Sequence, residues 1–353
     1  MTASLDRTRP LSASGRRSLL LAGDIGGTKT ALAVYSPEHG PRAPLFQAEF
    51  HSAKYPSLAL MVSEFLAGAN LRVERASFAV AGPVIAGASQ VTNLPWLLAE
   101  SDLAAELQIR SVHLINDLEA IAGVLPGLTS ADLHSLNVGE PVAGGALAVI
   151  APGTGLGEAF LIWDGARYRP FPSEGGHSDF APTTELEAGL LVHLLRRFGH
   201  ASAERVCSGP GLWNIYQYLR DSGATAESAE LARGLPAAPG DEPRLIGEAA
   251  LRSPDPDPLS RAALELFVSI LGAEAGNLAL KVLSTGGLYL AGGIPQKILP
   301  ALGDGRFMRA FVAKGRLGDL LARMPVSVVT LRAALLGAAL AGLGALSAPS
   351  AHN

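Results

Sequence analysis

One short polar segment, residues 173–182, has the residue types of a ligand-binding loop. It places Glu174, two glycines, His177 and a second acid in a row, without the period of a helix or a strand. Glycines lack a Cβ atom, so a ligand can approach their backbone closely. A carboxylate accepts hydrogen bonds and an imidazole donates or accepts them, so the pair suits a ligand rich in hydroxyls, such as a sugar. The alternative is a polar turn in which the histidine caps a neighbouring element.

A glycine-rich turn near the start of the chain could face phosphate groups. Its sequence, Asp24-Ile-Gly26-Gly27-Thr28, lies between two apolar runs and so predicts a hairpin. Its spacing differs from that of a Walker loop, but backbone N–H groups of such a turn can form an anion nest. Asp24 could orient Mg²⁺ through water, because this ion keeps several of its waters. The alternative is an ordinary hairpin turn.

A second glycine-rich turn has the same setting. Gly153-Thr154-Gly155-Leu156-Gly157 also lies between two predicted strands, and its last glycine comes one place too early for a dinucleotide fingerprint. We interpret it as a second phosphate-facing hairpin. Gly292 and Gly293, which end another predicted strand, could let an adenine or a ribose lie against the backbone. A helix-start turn is the alternative there.

Asn116 and Asp117 end a predicted strand, where α/β folds place their chemistry. An ionised aspartate at this position can accept the proton of a hydroxyl whose oxygen attacks phosphorus, and Asn116 can hydrogen-bond neighbouring hydroxyls. Phosphoryl transfer depends mainly on positioning and charge stabilisation, so one aspartate, Mg²⁺ and amide donors can suffice. The alternative is that Asp117 is only the N-cap of the following helix. Glu204, taken alone, fits an exposed helix residue.

The predicted elements alternate between strands and helices, which indicates an α/β protein. The strand–glycine turn–strand arrangement occurs twice, which suggests duplicated α/β domains facing a cleft. The sequence predicts strands at 19–23, 30–35, 45–51, 76–81, 112–115, 146–150, 159–163, 288–291 and 326–330. It predicts helices at 57–67, from a Ser101-Asp102 cap through 107, after Asp117, at 260–283 as a long amphipathic helix, and at 333–346.

Composition excludes several classes of function. The 353 residues are 48% hydrophobic with a formal net charge of −4, so the chain can bury a large core, and nucleic acid is not expected as a partner. A single cysteine, Cys207, excludes an internal disulfide framework and most cysteine-based zinc sites. No stretch of about 18 purely apolar residues occurs, so no membrane span is predicted. Residues 1–17 are expected to form a disordered tail.

Taken together, these segments resemble the bacterial glucokinases of the non-repressor type. The resemblance runs from about Leu19 to Leu346, and its specificity lies in the joint occurrence and order of the segments. They are Gly23 to Thr28, Ile115-Asn116-Asp117, Pro152 to Gly157, Ser173 to Pro182, Glu204-Arg205-Val206 with Ser208 to Gly211, and Leu290 to Ile294.

The resemblance implies an actin/hexokinase-like (ribonuclease H-like) fold with a ligand cleft between two α/β domains. The small domain would comprise residues 18–115 and about 331–347, and the large domain residues 116–330. The implied activity is ATP-dependent phosphorylation of the 6-hydroxyl of glucose with Mg²⁺, in a cytoplasmic homodimer that binds neither nucleic acid nor membrane. Asp117 would be the catalytic base; sugar-binding residues would be Asn93, Asn116, Asp117, Glu174, His177 and Glu204. The turns at Asp24 to Thr28 and Gly153 to Gly157 would hold phosphates, and Gly292 and Gly293 would lie near adenosine.

One departure points to a neighbouring group of proteins. With Lys29 after Thr28, the turn has the sequence Asp-Ile-Gly-Gly-Thr-Lys, which resembles the corresponding motif of the repressor/open-reading-frame/kinase group. That group carries a cysteine-rich zinc motif, which one cysteine cannot supply, and often a DNA-binding extension, for which the residues before the core leave no room. The non-repressor group is therefore favoured. The alternatives left open are a kinase for mannose, fructose or an amino sugar, a non-catalytic sugar sensor, and ADP or polyphosphate as the phosphoryl donor.

Overall fold

The computed structural model describes residues 19–223, 225–237 and 240–344. The predicted tail at 1–17 and the last positions of the predicted small domain, 345–347, lie outside the described residues. Contacts divide the chain into a first unit, which runs to Leu128 and resumes at Leu331, and a second unit, Thr129–Thr330. Each unit contains a buried apolar cluster of its own.

The first unit is built on a five-stranded sheet. Its strands lie in the order β3 (Phe46–His51), β2 (Lys29–Tyr35), β1 (Leu20–Ile25), β4 (Arg75–Val80) and β7 (Ser111–Asn116). Strands β1 and β2 form the antiparallel hairpin predicted from the glycine turn, while β1, β4 and β7 are parallel. Its elements before the second unit are β1 Leu20–Ile25, β2 Lys29–Tyr35, β3 Phe46–His51, α1 Leu58–Ala69, β4 Arg75–Val80, β5 Ala88–Gln90, β6 Leu97–Ala99, α2 Glu100–Glu106, β7 Ser111–Asn116 and α3 Asp117–Val124.

Among the three helices of this unit that precede the second unit, α1 and α3 follow the capping rules and α2 departs from them. Ser57 caps α1 by accepting a hydrogen bond from the N–H of Leu60. Asn116 caps α3, so the alternative of Asp117 as the N-cap is wrong. The cap predicted at Ser101 and Asp102 is also wrong, because α2 begins at Glu100 and its N-cap residue makes no side-chain bond.

The second unit is built on a six-stranded sheet. Its strands lie in the order β11 (Tyr168–Ser173), β10 (Leu156–Trp163), β9 (Leu147–Pro152), β12 (Gly287–Leu290), β13 (Val326–Val329) and β8 (Leu133–Asn137). Strands β9 and β10 form the second predicted glycine hairpin, and they pair antiparallel. The elements of this unit are β8 Leu133–Asn137, β9 Leu147–Pro152, β10 Leu156–Trp163, β11 Tyr168–Ser173, α4 Glu185–Phe198, α5 Gly209–Asp221, α6 Ala229–Gly234, α7 Glu242–Leu251, α8 Pro258–Val282, β12 Gly287–Leu290, α9 Gly293–Lys297, α10 Leu299–Leu302, α11 Arg306–Val312, α12 Gly318–Ala322 and β13 Val326–Val329.

Helix α8 is the central helix of the second unit rather than an amphipathic surface helix. Its buried residues include Ala263, Phe267 and Leu271 on successive turns, and also Val268 and Ala275. By length and composition it is the one helix among the described residues that could cross a membrane, yet 72% of the relevant window is buried inside the protein. It is thus a core helix, and the prediction of an amphipathic helix was wrong because packed elements surround it.

The last helix, α13 Ala333–Gly342, belongs to the first unit. It packs on α3 and on strands β1 and β4, and its crossing with α3 is very close. A Cβ atom on Gly337 would lie 2.2 Å from the carbonyl oxygen of Ala120, so only glycine permits this approach. The first unit is therefore completed by residues from the far end of the chain.

Candidate active site

Asp24 and Asp117 lie at one edge of the first unit's sheet. Because β1, β4 and β7 are parallel and in register, Asp24, Ala79 and Ile115 form one row across the sheet. Asp117 follows the end of β7 as the first residue of α3. The carboxyl ends of parallel strands, where this fold class places its ligands, thus bring the two acids to the same edge, as the sequence predicted for Asp117.

The pKa values of both carboxyl groups are raised. Burial, and next to it the charge of Asp24, raise the pKa of Asp117 to about 7, although hydrogen bonds from the N–H of Leu118 and from Asn116 oppose the shift. Burial also raises the pKa of Asp24 to about 6, with Arg332 opposing the rise. A carboxyl whose pKa lies near neutral pH can both take up and release a proton, which is what a general base requires.

The side chain of Asn116 makes several hydrogen bonds within the protein. Its Oδ1 accepts hydrogen bonds from the N–H groups of Leu118 and Glu119, at 2.9 and 3.2 Å, and its Nδ2 donates to the carbonyl of Gly82 at 2.9 Å. A side-chain hydrogen bond from Asn116 also reaches the carboxyl group of Asp117. The capping role, which was the alternative interpretation of Asp117, therefore belongs to Asn116 and fixes the start of α3 at Asp117.

The first glycine turn is held against the segment that contains Asn93. A Cβ atom on Gly27 would lie 2.5 Å from the carbonyl oxygen of Thr92 and 3.3 Å from the Cβ of Asn93. Asn93 itself is exposed and has a left-handed backbone with φ of 63°. The first unit thus groups Asp24, Gly26, Gly27, Thr28, Asn93, Asn116 and Asp117.

In the second unit, Glu204 is bonded to the second glycine turn. It lies in a 3₁₀ turn, Ala203–Arg205, is half-buried, and its Oε2 accepts a hydrogen bond of 3.0 Å from the N–H of Leu156. A Cβ atom on Gly155 would lie 2.5 Å from the same oxygen. The interpretation of Glu204 as an exposed helix residue is therefore wrong, and the carboxylate supports the turn directly.

The loop with Glu174 and His177 packs on the strand that follows the same turn. A Cβ atom on Gly176 would lie 2.1 Å from the carbonyl oxygen of Leu156. The two functional side chains point into solvent: His177 Nε2 lies 3.8 Å from Glu174 Oε2, and the side chains are 61% and 85% exposed. Buried glycines thus bring the loop backbone onto β10 while the polar side chains stay accessible to a ligand.

Space beside two predicted nucleotide-binding glycines is open. A Cβ atom on Gly153 or on Gly293 would meet no atom of the described residues within 4 Å. Gly292, by contrast, has a positive φ of 87° and lies against the carbonyl of Pro152, where the second glycine turn begins. The alternative of a helix-start turn also holds, since α9 begins at Gly293. The second unit thus groups Gly153, Thr154, Gly155, Gly157, Glu174, His177, Glu204, Gly292 and Gly293.

The acids of the first unit fit a weakly held Mg²⁺ rather than a dedicated metal centre. No group of three or more His, Cys, Asp or Glu that could hold a metal ion occurs within residues 19–223, 225–237 and 240–344. Mg²⁺ is commonly held by one or two carboxylates together with waters and substrate phosphates. Asp24 beside a glycine turn meets that requirement.

Sequence reasoning missed two charged residues near these groups. Glu158, buried on β10, lies against Gly175, and Arg332 interacts with Asp24 and with Glu49. Glu158 had a local signal, because an acid in an otherwise apolar strand is unusual. Arg332 had no local sequence signal, because its position beside β1 depends on the return of the chain to the first unit.

The fold and these two groups of residues define a sugar kinase of the actin-like fold. A glucokinase from an Antarctic psychrotroph superposes with a TM-score of 0.70 at 29% identity, covering 92% of this chain and 98% of that one. A glucokinase of the repressor/open-reading-frame/kinase family from Streptomyces griseus, solved with glucose and AMPPNP, has a TM-score of 0.62 at 21% identity, covering 91% and 98%.

Sequence comparison identifies the family to which the chain belongs within this class of sugar kinases. The family model described as Glucokinase matches residues 21–344. The glucokinase of Nostoc punctiforme is 44% identical over 337 residues, which cover 92% of this chain and 98% of that protein. The chain therefore belongs to the glucokinase family, and its reaction is the phosphorylation of glucose. This confirms the resemblance seen in the motifs and decides against a sugar sensor.

Proposed function

We propose that the chain phosphorylates the 6-hydroxyl of glucose with ATP as donor, and that Asp117 is the general base. The observation that carries the proposal is the place of Asp117: it follows the end of β7, at the sheet edge that also holds Asp24 and the first glycine turn. Asp117 takes the proton of the 6-hydroxyl as the sugar oxygen bonds to the γ-phosphorus and the bond to the leaving ADP breaks. A carboxyl with a pKa of about 7 is ionised often enough near neutral pH to do so.

The other polar residues are proposed to bind the two substrates. Glu174 and His177 offer exposed acceptors and a donor to sugar hydroxyls, and Asn93, Asn116 and Glu204 complete the set. Glu204 has a second carboxylate oxygen for this purpose, because Oε2 is the atom bonded to Leu156.

Nucleotide binding is assigned to backbone groups. The N–H groups of Gly26, Gly153 and Leu156 are bonded within the protein. Other N–H groups of the turns 24–28 and 153–157 are proposed to hold phosphates, and the open space at Gly293 leaves room for the adenosine. Asp24 would hold Mg²⁺ through water; the bound ion would neutralise charge on the phosphates. The enzyme of Streptomyces griseus, which was solved with AMPPNP, supports ATP as the donor.

The decisive experiment is Asp117→Asn. Asparagine keeps the shape of the side chain and the oxygen that accepts the N–H of Leu118, but it cannot take a proton. We expect kcat to fall by about 10²- to 10⁴-fold, the usual contribution of a general base, with glucose binding by calorimetry unchanged. Asp102→Asn, at an exposed acid of α2, is the matched control and should leave kcat unchanged. Near-normal turnover in Asp117→Asn would refute the assignment.

Substrate choice is tested by a matrix of donors and sugars. Glucose with ATP should give the highest kcat/KM, with mannose, fructose, glucosamine, ADP and polyphosphate all lower. A coupled enzyme specific for glucose 6-phosphate reports the position of transfer. The homodimer and the cytoplasmic location implied by the family resemblance stay proposals, and light scattering on the purified protein tests the first.

A further inference from the structure

A buried carboxyl group lies directly beneath the loop that carries Glu174 and His177. Glu158 follows the second glycine turn on β10 and pairs with Ser173, the last residue of β11, so it stands where the loop begins. Its residue is 1% exposed, and its Oε1 has no hydrogen-bond partner in the part of the chain that the structure describes. No step of the proposed reaction uses this residue.

The carboxyl group occupies the space that a side chain at position 175 would need. A Cβ atom on Gly175 would lie 2.0 Å from Glu158 Oε2 and 3.0 Å from its Cδ. The N–H of Gly175 bonds to Ser173 Oγ at 3.0 Å, and its carbonyl accepts the hydroxyl of Ser178 at 2.6 Å. The loop therefore contacts Glu158 by close packing at Gly175, while these two hydrogen bonds of Gly175 are made within the loop.

The surroundings of Glu158 favour its neutral form. Burial, and next to it the charge of Glu274 on α8, raise the pKa of Glu158 to about 7, while Lys281 opposes the rise. Glu274 is itself 5% exposed, and its Oε1 lies 3.8 Å from Lys281 Nζ. The other titratable groups near Glu158 are Cys207, which interacts with Glu274, Glu158 and Glu187, Lys314, which interacts with Glu274, and the exposed Glu174 and His177 of the loop.

We propose that Glu158 is a positioning residue for glucose binding: its neutral carboxyl seats residues 174–177 on β10, and its ionisation unseats them. A buried carboxylate that is packed against Gly175 and has no hydrogen-bond donor to its Oε1 among the described residues is costly, so an ionised Glu158 draws in water and pushes the loop away. Since Glu174 and His177 stand on either side of Gly175 and Gly176, their side chains move with the loop.

The inference rests on the proposed assignment of Glu174 and His177 to the sugar. Loop displacement lowers the affinity for glucose, whereas proton removal by Asp117 belongs to the first unit. The effect of Glu158 is therefore expected in KM for glucose, and the effect of Asp117 in kcat. This separation lets one set of pH profiles report on both residues.

The test is the pH dependence of KM for glucose in the wild type and in Glu158→Gln at saturating ATP. Glutamine keeps the size and the hydrogen-bonding head of a neutral glutamic acid but does not ionise. In the wild type, KM should rise about tenfold between pH 6 and pH 8.5, which corresponds to a coupling of one pKa unit. In Glu158→Gln it should stay flat and close to the low-pH value of the wild type. Coinciding profiles would overturn the proposal.

A second variant keeps the test decisive if Glu158→Gln does not fold. Glu274→Gln removes the charge that raises the pKa of Glu158, so the rise in KM should move to lower pH. An unmoved midpoint would overturn the positioning role.

Glu174→Ala tests the sugar-binding assignment separately from the positioning role of Glu158. An unchanged KM for glucose in this variant would refute the sugar-binding assignment and the inference together. A raised KM supports the assignment, and the profiles of Glu158→Gln and Glu274→Gln then decide the role of Glu158 alone.

Discussion

Gly176→Ala is the sharpest structural test of the proposed sugar-binding role of the loop 174–177. The new methyl group would lie 2.1 Å from the carbonyl oxygen of Leu156 and 3.1 Å from its carbon. Contact with a backbone oxygen requires more than 3 Å, so the atoms must separate by about 1 Å. Overpacking of this kind costs about 1–3 kcal/mol of stability.

The strand is less able to move than the loop. Leu156 is paired with Pro152 on β9, and its N–H is bonded to Glu204. The loop must therefore absorb the displacement, and it carries Glu174 and His177 with it. A misplacement of about 1 Å in groups that position a substrate can cost about 10²-fold in rate.

The expected result is a fall in kcat/KM for glucose of about 100-fold, with a loss of only about 1–3 kcal/mol in the free energy of unfolding. Activity is measured by formation of glucose 6-phosphate, and stability by urea unfolding. Gly247→Ala, in α7 of the same unit, is the control, because its Cβ would meet nothing within 4 Å and kcat/KM should not change. A Gly176→Ala enzyme with normal kcat/KM for glucose would refute the assignment of the loop.

Three further predictions concern the acids and the open turn. Because Asp117 has a pKa of about 7 and acts when ionised, kcat should rise about tenfold per pH unit below pH 7 and level off above it; a kcat that is flat from pH 5 to 8 contradicts this. Gly153→Ala should fold normally, since its methyl group meets no described atom within 4 Å. It should raise KM for ATP by about 10- to 100-fold, because the methyl group occupies the open space proposed for a phosphate. An unchanged KM for ATP argues against a phosphate at this turn. Gly175→Ala should raise KM for glucose, and Glu158→Ala in the same chain should partly restore it, because the two closest contacts of the added methyl group, at 2.0 and 3.0 Å, are with that side chain, and Ser173 Oγ follows at 3.2 Å. Additive effects in the double-mutant cycle would contradict the contact.

The glycine hairpins were predictable because their signals are local. An apolar run, a turn with two glycines and a second apolar run define a hairpin at 20–35 and again at 147–163. Asp117 was also predictable, since an acid that ends a parallel strand lies at the edge where α/β folds bind ligands.

Two of the remaining errors have long-range causes, and the third is local. The burial of α8 depends on which helices surround it, and periodicity along one helix does not contain that information. The bond from Glu204 to the N–H of Leu156 joins residues 48 positions apart. The choice between Asn116 and Asp117 as the cap depended on a difference of one residue in the helix start, which is the least predictable feature of a helix.

The return of α13 to the first unit has a consequence for biosynthesis. All the strands and helices of the second unit come from one continuous stretch of chain, Thr129–Thr330, so its core can close as soon as that stretch has left the ribosome. The first unit is synthesised earlier but finished later, because α3, β1 and β4 lack their covering helix until Ala333–Gly342 emerges. The surface of the first unit that α13 covers is thus completed after the second unit, although the residues of the first unit's apolar cluster, between Leu19 and Leu114, are translated before it.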